Sequence, residues 1–307
     1  MTMNAITLTT AAADEPAAPG RCRGAADAVR AQAEAPPARP RPAAREPLAE
    51  RLGALALPLL APAIGLAVLI GIWYVATLKG GGIPGPVQTW KEAVAIFSDP
   101  FYRNGPNDQG IGWNVVASLQ RVALGFGIAA LVGIPLGFLL GRSAFLAAMV
   151  NPIISLLRPV SPLAWLPIGL LVFKKADPAA TWTIFICSIW PMIINTAVGV
   201  QRVPQDYLNV ARVLALSEWK VITRILFPAV LPYMLTGIRL SIGTAWLVIV
   251  AAEMLTGGVG IGFWVWDEWN NLKVEHIIIA IFVIGIVGLL LEQALILIAR
   301  RFSYDHS

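Results

Sequence analysis

Of the 307 residues, 57% are hydrophobic and only 13% charged, and the mean hydropathy is +0.70. A soluble domain is about half apolar and a quarter charged, so the composition excludes an ordinary soluble protein and places the chain in a membrane. The formal net charge of +5 is not a nucleic-acid signal, because most Lys and Arg lie in the tails and between apolar runs, as membrane topology requires.

In chain order, residues 1–50 are rich in Ala, Pro, Arg and Glu without apolar periodicity and are expected to form a disordered tail. They lack the apolar core near the N-terminus that a secretory signal needs. Residues 51–307 read as one transmembrane domain. Cys22 lies in the tail and Cys187 in an apolar run, so no disulfide framework is expected. Cys187 reads as a small buried apolar residue.

Six apolar runs follow the tail, at about 54–78, 117–141, 146–173, 179–201, 229–256 and 277–299. Each is near the ~20 residues that a helix needs to cross a bilayer, which predicts an all-α integral membrane protein with six transmembrane helices. With six spans, the Arg-rich tail, Arg142, the 202–224 segment and Arg300–Arg301 share one side. The positive-inside rule makes that side the cytoplasm, with both termini in it. The other side receives 79–116, 174–178 and 257–276, which carry Asp99, Asp108, Asp177, Asp267, Glu268 and Glu275.

After the first span, glycines and prolines break the chain. From about Pro86, Trp90, Val94 and Phe97 recur at helical spacing, which predicts an amphipathic helix on the outer surface. In the second span Gly125, Ala129, Gly133, Gly137 and Gly141 form a strip of small residues that lets another helix approach closely. The strip fits internal packing and a subunit interface equally well. Pro135 is a candidate kink. The third span carries Pro152, Pro159, Pro162 and Pro167, as a transport pathway or a bent structural helix would.

Polar residues in the spans are the candidates for a translocation pathway. Arg121, Arg158 and Arg239 offer guanidinium groups to a planar anion, against the plainer reading that Arg near a helix end snorkels to the interface. Arg158 ranks first because it sits in the Pro-broken span. Glu253, inside the fifth span, is a candidate to pair with an Arg or to shape a gate. Ser155 and Ser161, then Asn195 and Thr244, are weaker polar candidates. The run GGVGIG (257–262) follows no strand and reads as a flexible outer hinge. The aromatic segment 263–269 after it fits an interfacial belt.

Residues 207–228, YLNVARVLALSEWKVITRILFP, interrupt the apolar pattern with Arg212, Glu218, Lys220 and Arg224. They read as two short helices joined near 216–217, with Ser217 as a helix cap, suited to docking on another protein. This stretch resembles the cytoplasmic loop of ABC importer permeases whose pattern runs Glu-Ala-Ala, three residues, Gly, nine residues, Ile-x-Leu-Pro. Here Asn209, Val210 and Ala211 stand for Glu-Ala-Ala, Ala215 stands for Gly, and Ile225, Phe227 and Pro228 close the pattern. The stretches 118–143, 158–173 and 237–254 also look like spans of nitrate, bicarbonate, taurine and sulfonate importers, and 97–113 is similar to nitrate permeases in particular.

The resemblance covers about residues 55–303. It implies a type I ABC importer permease fold with a coupling loop at 204–228, in which Asn209, Val210, Ala211, Arg212, Ala215 and Leu216 dock on a cytoplasmic ABC ATPase. It implies a second copy of the permease, forming a homodimer, a periplasmic or lipid-anchored substrate-binding protein, and a bacterial inner membrane. ATP and Mg would be bound by the ATPase subunits, with no cofactor on this chain and no nucleic acid. The implied substrate is nitrate (or nitrite); the alternative is bicarbonate, cyanate, taurine or another sulfonate. The chain carries no G-x-x-x-x-G-K-[ST] loop, so ATP hydrolysis falls to a partner and the chain itself is not expected to be an enzyme. Among rival classes, an intramembrane enzyme lacks support, with only His276 and His306 and no H-E-x-x-H or G-x-S-x-G. A passive channel would have no use for the docking loop.

Overall fold

A computed structural model describes residues 48–78 and 82–302. The expected tail lies outside the described residues except for 48–50, which are already helical. The chain divides into two compact units, Met1–Leu66 and Ala67–Ser307. The described part of the first is the beginning of α1 (Leu48–Thr77); the second holds the remaining elements.

These are α2 (Pro86–Ser98), α3 (Ile111–Arg142), α4 (Ala144–Leu157), α5 (Pro162–Phe173), α6 (Ala176–Gln201), α7 (Gln205–Val213), α8 (Glu218–Val221), a π-helical turn (Ile222–Leu226), α9 (Phe227–Thr256), α10 (Ile261–Asn270) and α11 (Val274–Phe302). There is no strand among the described residues; one isolated bridge joins Arg103 and Gln109. Five helical runs are long and apolar enough to cross a membrane, and there are six if the bent pair α4 and α5 counts as one crossing.

The core is built around α6, which packs between α3 and α9. The small-residue strip of α3 faces α6 within the same chain. Gly125 meets Ile184 and Thr181, Gly133 meets Ile189 and Met192, Gly137 meets Thr196 and Ile193, and Gly141 meets Val200 and Ala197. At Gly137 a Cβ would fall 2.6 Å from the Thr196 Cβ, so glycine sets the spacing of the two helices. The strip serves internal packing. Because the residue numbers rise together along both helices, α3 and α6 are parallel.

Pairing in α6 and α9 runs the other way. Gly199 meets Val230 and Tyr233, Gly237 meets Asn195, and the Ser241 hydroxyl donates to the Ser188 carbonyl at 2.6 Å. A parallel α3–α6 pair requires the intervening chain to return across the layer. Residues 143–175 make that return, so α4 and α5 together span the thickness between the Arg142 end and the Asp177 end.

The third expected span is therefore not one helix over 146–173. It is two helices bent by 99°. Ser161 is extended (φ −55°, ψ 134°), as the residue before Pro162 prefers, and neither Pro159 nor Pro162 can donate a helical hydrogen bond. Pro135, Pro152, Pro167 and Pro191 lie within their helices without ending them. The second helix of the 207–228 segment also departs from expectation. It does not stop at Pro228 but runs on into α9, giving one helical stretch from Glu218 to Thr256. The wider π turn at Ile222–Leu226 lies immediately ahead of Phe227–Pro228, where an ordinary turn would set the proline ring against a carbonyl.

Candidate functional site

The 202–226 segment sits at the Arg142 end. Ala211 is buried against Val203, Val221, Leu226, Val230 and Met234, with Leu208 and Leu216 half-buried beside it. Asn209, Val210, Arg212 and Ala215 are exposed, and so are Tyr207, Val213, Leu214 and Trp219. Of the six residues expected to dock, Ala211 and Leu216 thus face the chain's own helices and hold α7 in place. The others remain on the outer face, and Val213 and Leu214 extend it. At the end of α7, the Leu216 N–H donates to the Ala211 carbonyl and the Ala215 N–H to that of Arg212, each at 3.0 Å. This helix-terminating pair puts Ala215 at φ 49°, in the left-handed region that glycine adopts without cost. Ser217 stands at the N-cap of α8, but its side chain makes no capping bond. Glu218 instead pairs with Arg142 at the end of α3, tying the segment to the bundle.

Toward the Asp177 end, α3, α9 and the 257–262 loop meet in a buried polar network. Asn114, Ser118 and Arg121 lie at spacings of four and three, on one face of α3. The Asn114 Oδ1 accepts from the Gly260 N–H at 2.8 Å, and the Ser118 hydroxyl oxygen accepts from the Ile261 N–H at 3.0 Å. Glu253, 1% exposed, accepts from the Gly262 N–H at 3.0 Å, from the Ser118 hydroxyl at 2.7 Å and from Arg121 Nη1 at 2.6 Å. Arg121 also donates to the Val259 carbonyl at 2.7 Å and bridges to Asp177 at 2.7 Å.

This network bears on two expectations. Glu253 pairs with an Arg, as one of its two readings had it, and the partner is Arg121, whose guanidinium is shared with Asp177. The 257–262 run is not a loose hinge. Gly257 and Gly258 supply positive φ, but three consecutive N–H groups from Gly260 onward are held by side chains, and a Cβ on Gly260 would collide with the Glu253 carboxyl group. The Asn114–Ser118–Arg121 spacing was the sequence signal for this cluster. Only Arg121 stood out, because Asn and Ser carry no charge.

Arg239, the second expected pathway cation, pairs with Glu292 of α11, with an Nε–Oε1 distance of 2.8 Å. Arg158 differs from both. It is exposed at the bend between α4 and α5 and makes no ion pair among the described residues. Two cavities meet at Arg158 and Ile194. One, of about 570 Å³, is lined by Asn151, Ile154, Ser155 and Pro159; the other, of about 310 Å³, by Cys187, Trp190, Pro191, Asn195, Leu240 and Thr244. Ser155 thus borders a cavity, whereas Ser161 lies exposed at the bend and lines neither.

The Asp177 end also carries the aromatic elements. In α2, Thr89 is buried, Ala93 and Ile96 pack on the core, and Trp90, Val94 and Phe97 point outward. In α10, Trp264 is buried and stacks on His276, while Trp266 and Trp269 are exposed. The 97–113 stretch folds on itself. The Arg103 guanidinium lies 3.9 Å from the Trp113 ring centroid, and burial, helped by Asp108, raises the Tyr102 phenol above its ordinary pKa.

Comparison with known proteins supplies the family. The family described as "Binding-protein-dependent transport system inner membrane component" matches residues 133–304. The chain is 51% identical over 233 residues to the nitrate import permease protein NrtB of Synechocystis sp., covering 76% of this chain and 85% of that protein. It is 50% identical over 243 residues to the NrtB of Leptolyngbya laminosa, covering 79% and 87%. The bicarbonate transport system permease protein CmpB of Synechococcus elongatus is 43% identical over 257 residues, covering 82% and 91%. Among solved structures, inward-facing conformations of the MetNI methionine ABC transporter match with a TM-score of 0.54 at 16% identity, covering 62% of this chain and 94% of that one, a likeness of fold alone. The chain belongs to the family of inner membrane components of binding-protein-dependent transport systems, the multi-pass permease subunits of ABC importers.

Proposed function

We propose that the chain is the membrane-spanning permease of an ATP-driven importer of nitrate. The observation that carries this reading is the identity of 51% and 50% to two nitrate import permeases over more than three quarters of the chain. The second reading is bicarbonate, favoured by 43–44% identity to bicarbonate permeases, a level that one further nitrate permease shares.

The exposed face of α7 and its flanks, with Asn209, Val210, Arg212, Val213, Leu214 and Ala215, docks on a cytoplasmic ATPase subunit. Ala211 and Leu216 anchor that face to α6 and α9, and Arg142–Glu218 anchors it to α3. Movement of a docked ATPase is therefore passed to three spans at once. Two copies of the chain enclose the pathway, both termini lie in the cytoplasm, and a periplasmic or lipid-anchored binding protein delivers the anion to the Asp177 end. ATP and Mg are held by the ATPases, and this chain supplies the alternating path.

The test is uptake by the chain reconstituted in lipid with its ATPase and binding protein. ATP-dependent accumulation of labelled nitrate, with no bicarbonate accumulation under the same conditions, supports the reading. Accumulation of bicarbonate alone replaces the substrate, and uptake without any ATPase overturns the importer.

A further inference from the structure

The spans hold an unequal set of charges. Glu253 is taken by Arg121 and Glu292 by Arg239, which, of the three span arginines, leaves Arg158 with no carboxylate partner among the described residues. A second copy of the chain has the same two carboxylates, already paired in the same way. Arg158 is also deep. Its neighbours Cys187 and Trp190 lie near the middle of Ala176–Gln201, and Leu240 and Thr244 near the middle of Phe227–Thr256. Half of a ~30 Å hydrocarbon layer is beyond the reach of one side chain, so snorkelling cannot bring this charge to water. An unpaired charge at that depth requires water or an anion beside it.

We propose that Arg158 is the anion-binding residue of the translocation pathway and that its site accepts monovalent planar oxyanions in preference to dianions. This rests on the importer reading above. The guanidinium offers two parallel N–H donors in the geometry of a planar oxyanion. Asn151 and Ser155 border the larger cavity with no side-chain hydrogen bond of their own among the described residues. Across the bend, Asn195 uses one amide N–H on the Pro191 carbonyl and keeps the other, whereas the Thr244 hydroxyl is already donated to Leu240. Each copy of the chain brings its own Arg158 site, and the one net positive charge of a site neutralises one negative charge. A dianion such as sulfate keeps an excess charge in a low-dielectric layer, where it is costly. Both cavities far exceed the ~30 Å³ of a water molecule, so each has room for the ion with part of its hydration.

The test uses the complete complex in lipid, with Cys22→Ser, Cys187→Ala and Ser155→Cys introduced and the reaction of the new thiol followed with methanethiosulfonates of opposite charge. The anionic reagent is expected to react about tenfold faster than the cationic one, as a focusing positive site requires. Nitrate should slow the reaction and sulfate should not, and Arg158→Gln should abolish the charge preference. Arg158→Gln should also lower nitrate uptake at least about tenfold. Arg158→Lys, which keeps the charge, should keep the reagent preference but lose most of the nitrate protection. It carries the test if the Gln variant fails to copurify with the ATPase. A thiol at position 155 that reacts with neither reagent, or equal rates that Arg158→Gln leaves unchanged, would overturn the proposal. If the wild-type complex imports a different monovalent anion, the nitrate reading fails, while protection of position 155 by that anion upholds the site.

Discussion

Glu253 is the residue on which the Asp177 end depends most. Its carboxylate is 1% exposed and receives donors from Ser118, Arg121 and Gly262. Glu253→Gln turns an acceptor-only group into one with an amide that faces three donors, and leaves Arg121 without its buried partner. Breaking a buried pair from one side costs about 3–5 kcal/mol, so the variant is expected to lower the thermal midpoint of the detergent-solubilised protein clearly. Pairing it with Arg121→Gln in a double-mutant cycle should recover part of the loss, because the stranded charge is then gone. Ala215 supplies a second residue-scale expectation. At φ 49° an L side chain is strained, and Ala215→Gly should stabilise the 202–226 segment by about 1 kcal/mol, measured as slower proteolysis there.

At the scale of elements, the α3–α6 seam and the exposed α7 face let packing and the proposed docking be tested apart. A side chain at Gly137 meets Thr196 at 2.6 Å and the Ile193 carbonyl at 2.8 Å, whereas a Cβ at Gly127 meets nothing within 4 Å. Gly137→Val should therefore prevent stable expression, while Gly127→Ala should be neutral in the same thermal assay. On α7, Val210→Asp is expected to weaken copurification with the ATPase, by about 2 kcal/mol if Val210 is a hot spot, and to leave the thermal midpoint of the permease alone unchanged. Ala211→Asp should lower that midpoint, because Ala211 is 2% exposed within the chain's own core. Equal effects of the two substitutions on copurification and on the midpoint would erase the distinction between a docking face and its anchor.

For the whole molecule, the parallel α3–α6 pair, the antiparallel α6–α9 pair and the bent return through α4 and α5 place the α7 surface at one end and the Asp177 network at the other. Arg158 lies between them, near mid-depth. This order predicts that Val210→Asp, which spares the anchoring Ala211 and Leu216, lowers ATP-driven uptake without removing the protection of a cysteine at position 155 by nitrate. The proposed coupling face and the proposed anion site occupy different levels of the fold, and a loss of both together would argue against that separation.

Much of this was legible in the sequence because hydrocarbon is a uniform solvent. Apolar length counted the crossings, and helical spacing located the glycine strip, the surface helix α2 and the α7 segment. The partners of each helix face were not legible. The glycine strip read equally as seam or core until α6 was found against it, since small residues state closeness and not the identity of the neighbour. Arg121, Arg158 and Arg239 are alike in sequence, and each lies in or beside an apolar run. Two are neutralised by Glu253 and Glu292, whose separations along the chain, 132 and 53 positions, carry no local signal. The bend at Pro159 and Pro162 was foreshadowed by the prolines, but its angle and the cavities beside it arise from packing on α6 and α9. Composition and periodicity thus determined that the chain crosses a membrane and carries a charged, two-helix segment between spans, because both depend on local burial. Which charge remains unpaired at mid-depth was decided only by the tertiary structure, because charge pairing depends on groups far apart in the chain meeting in space.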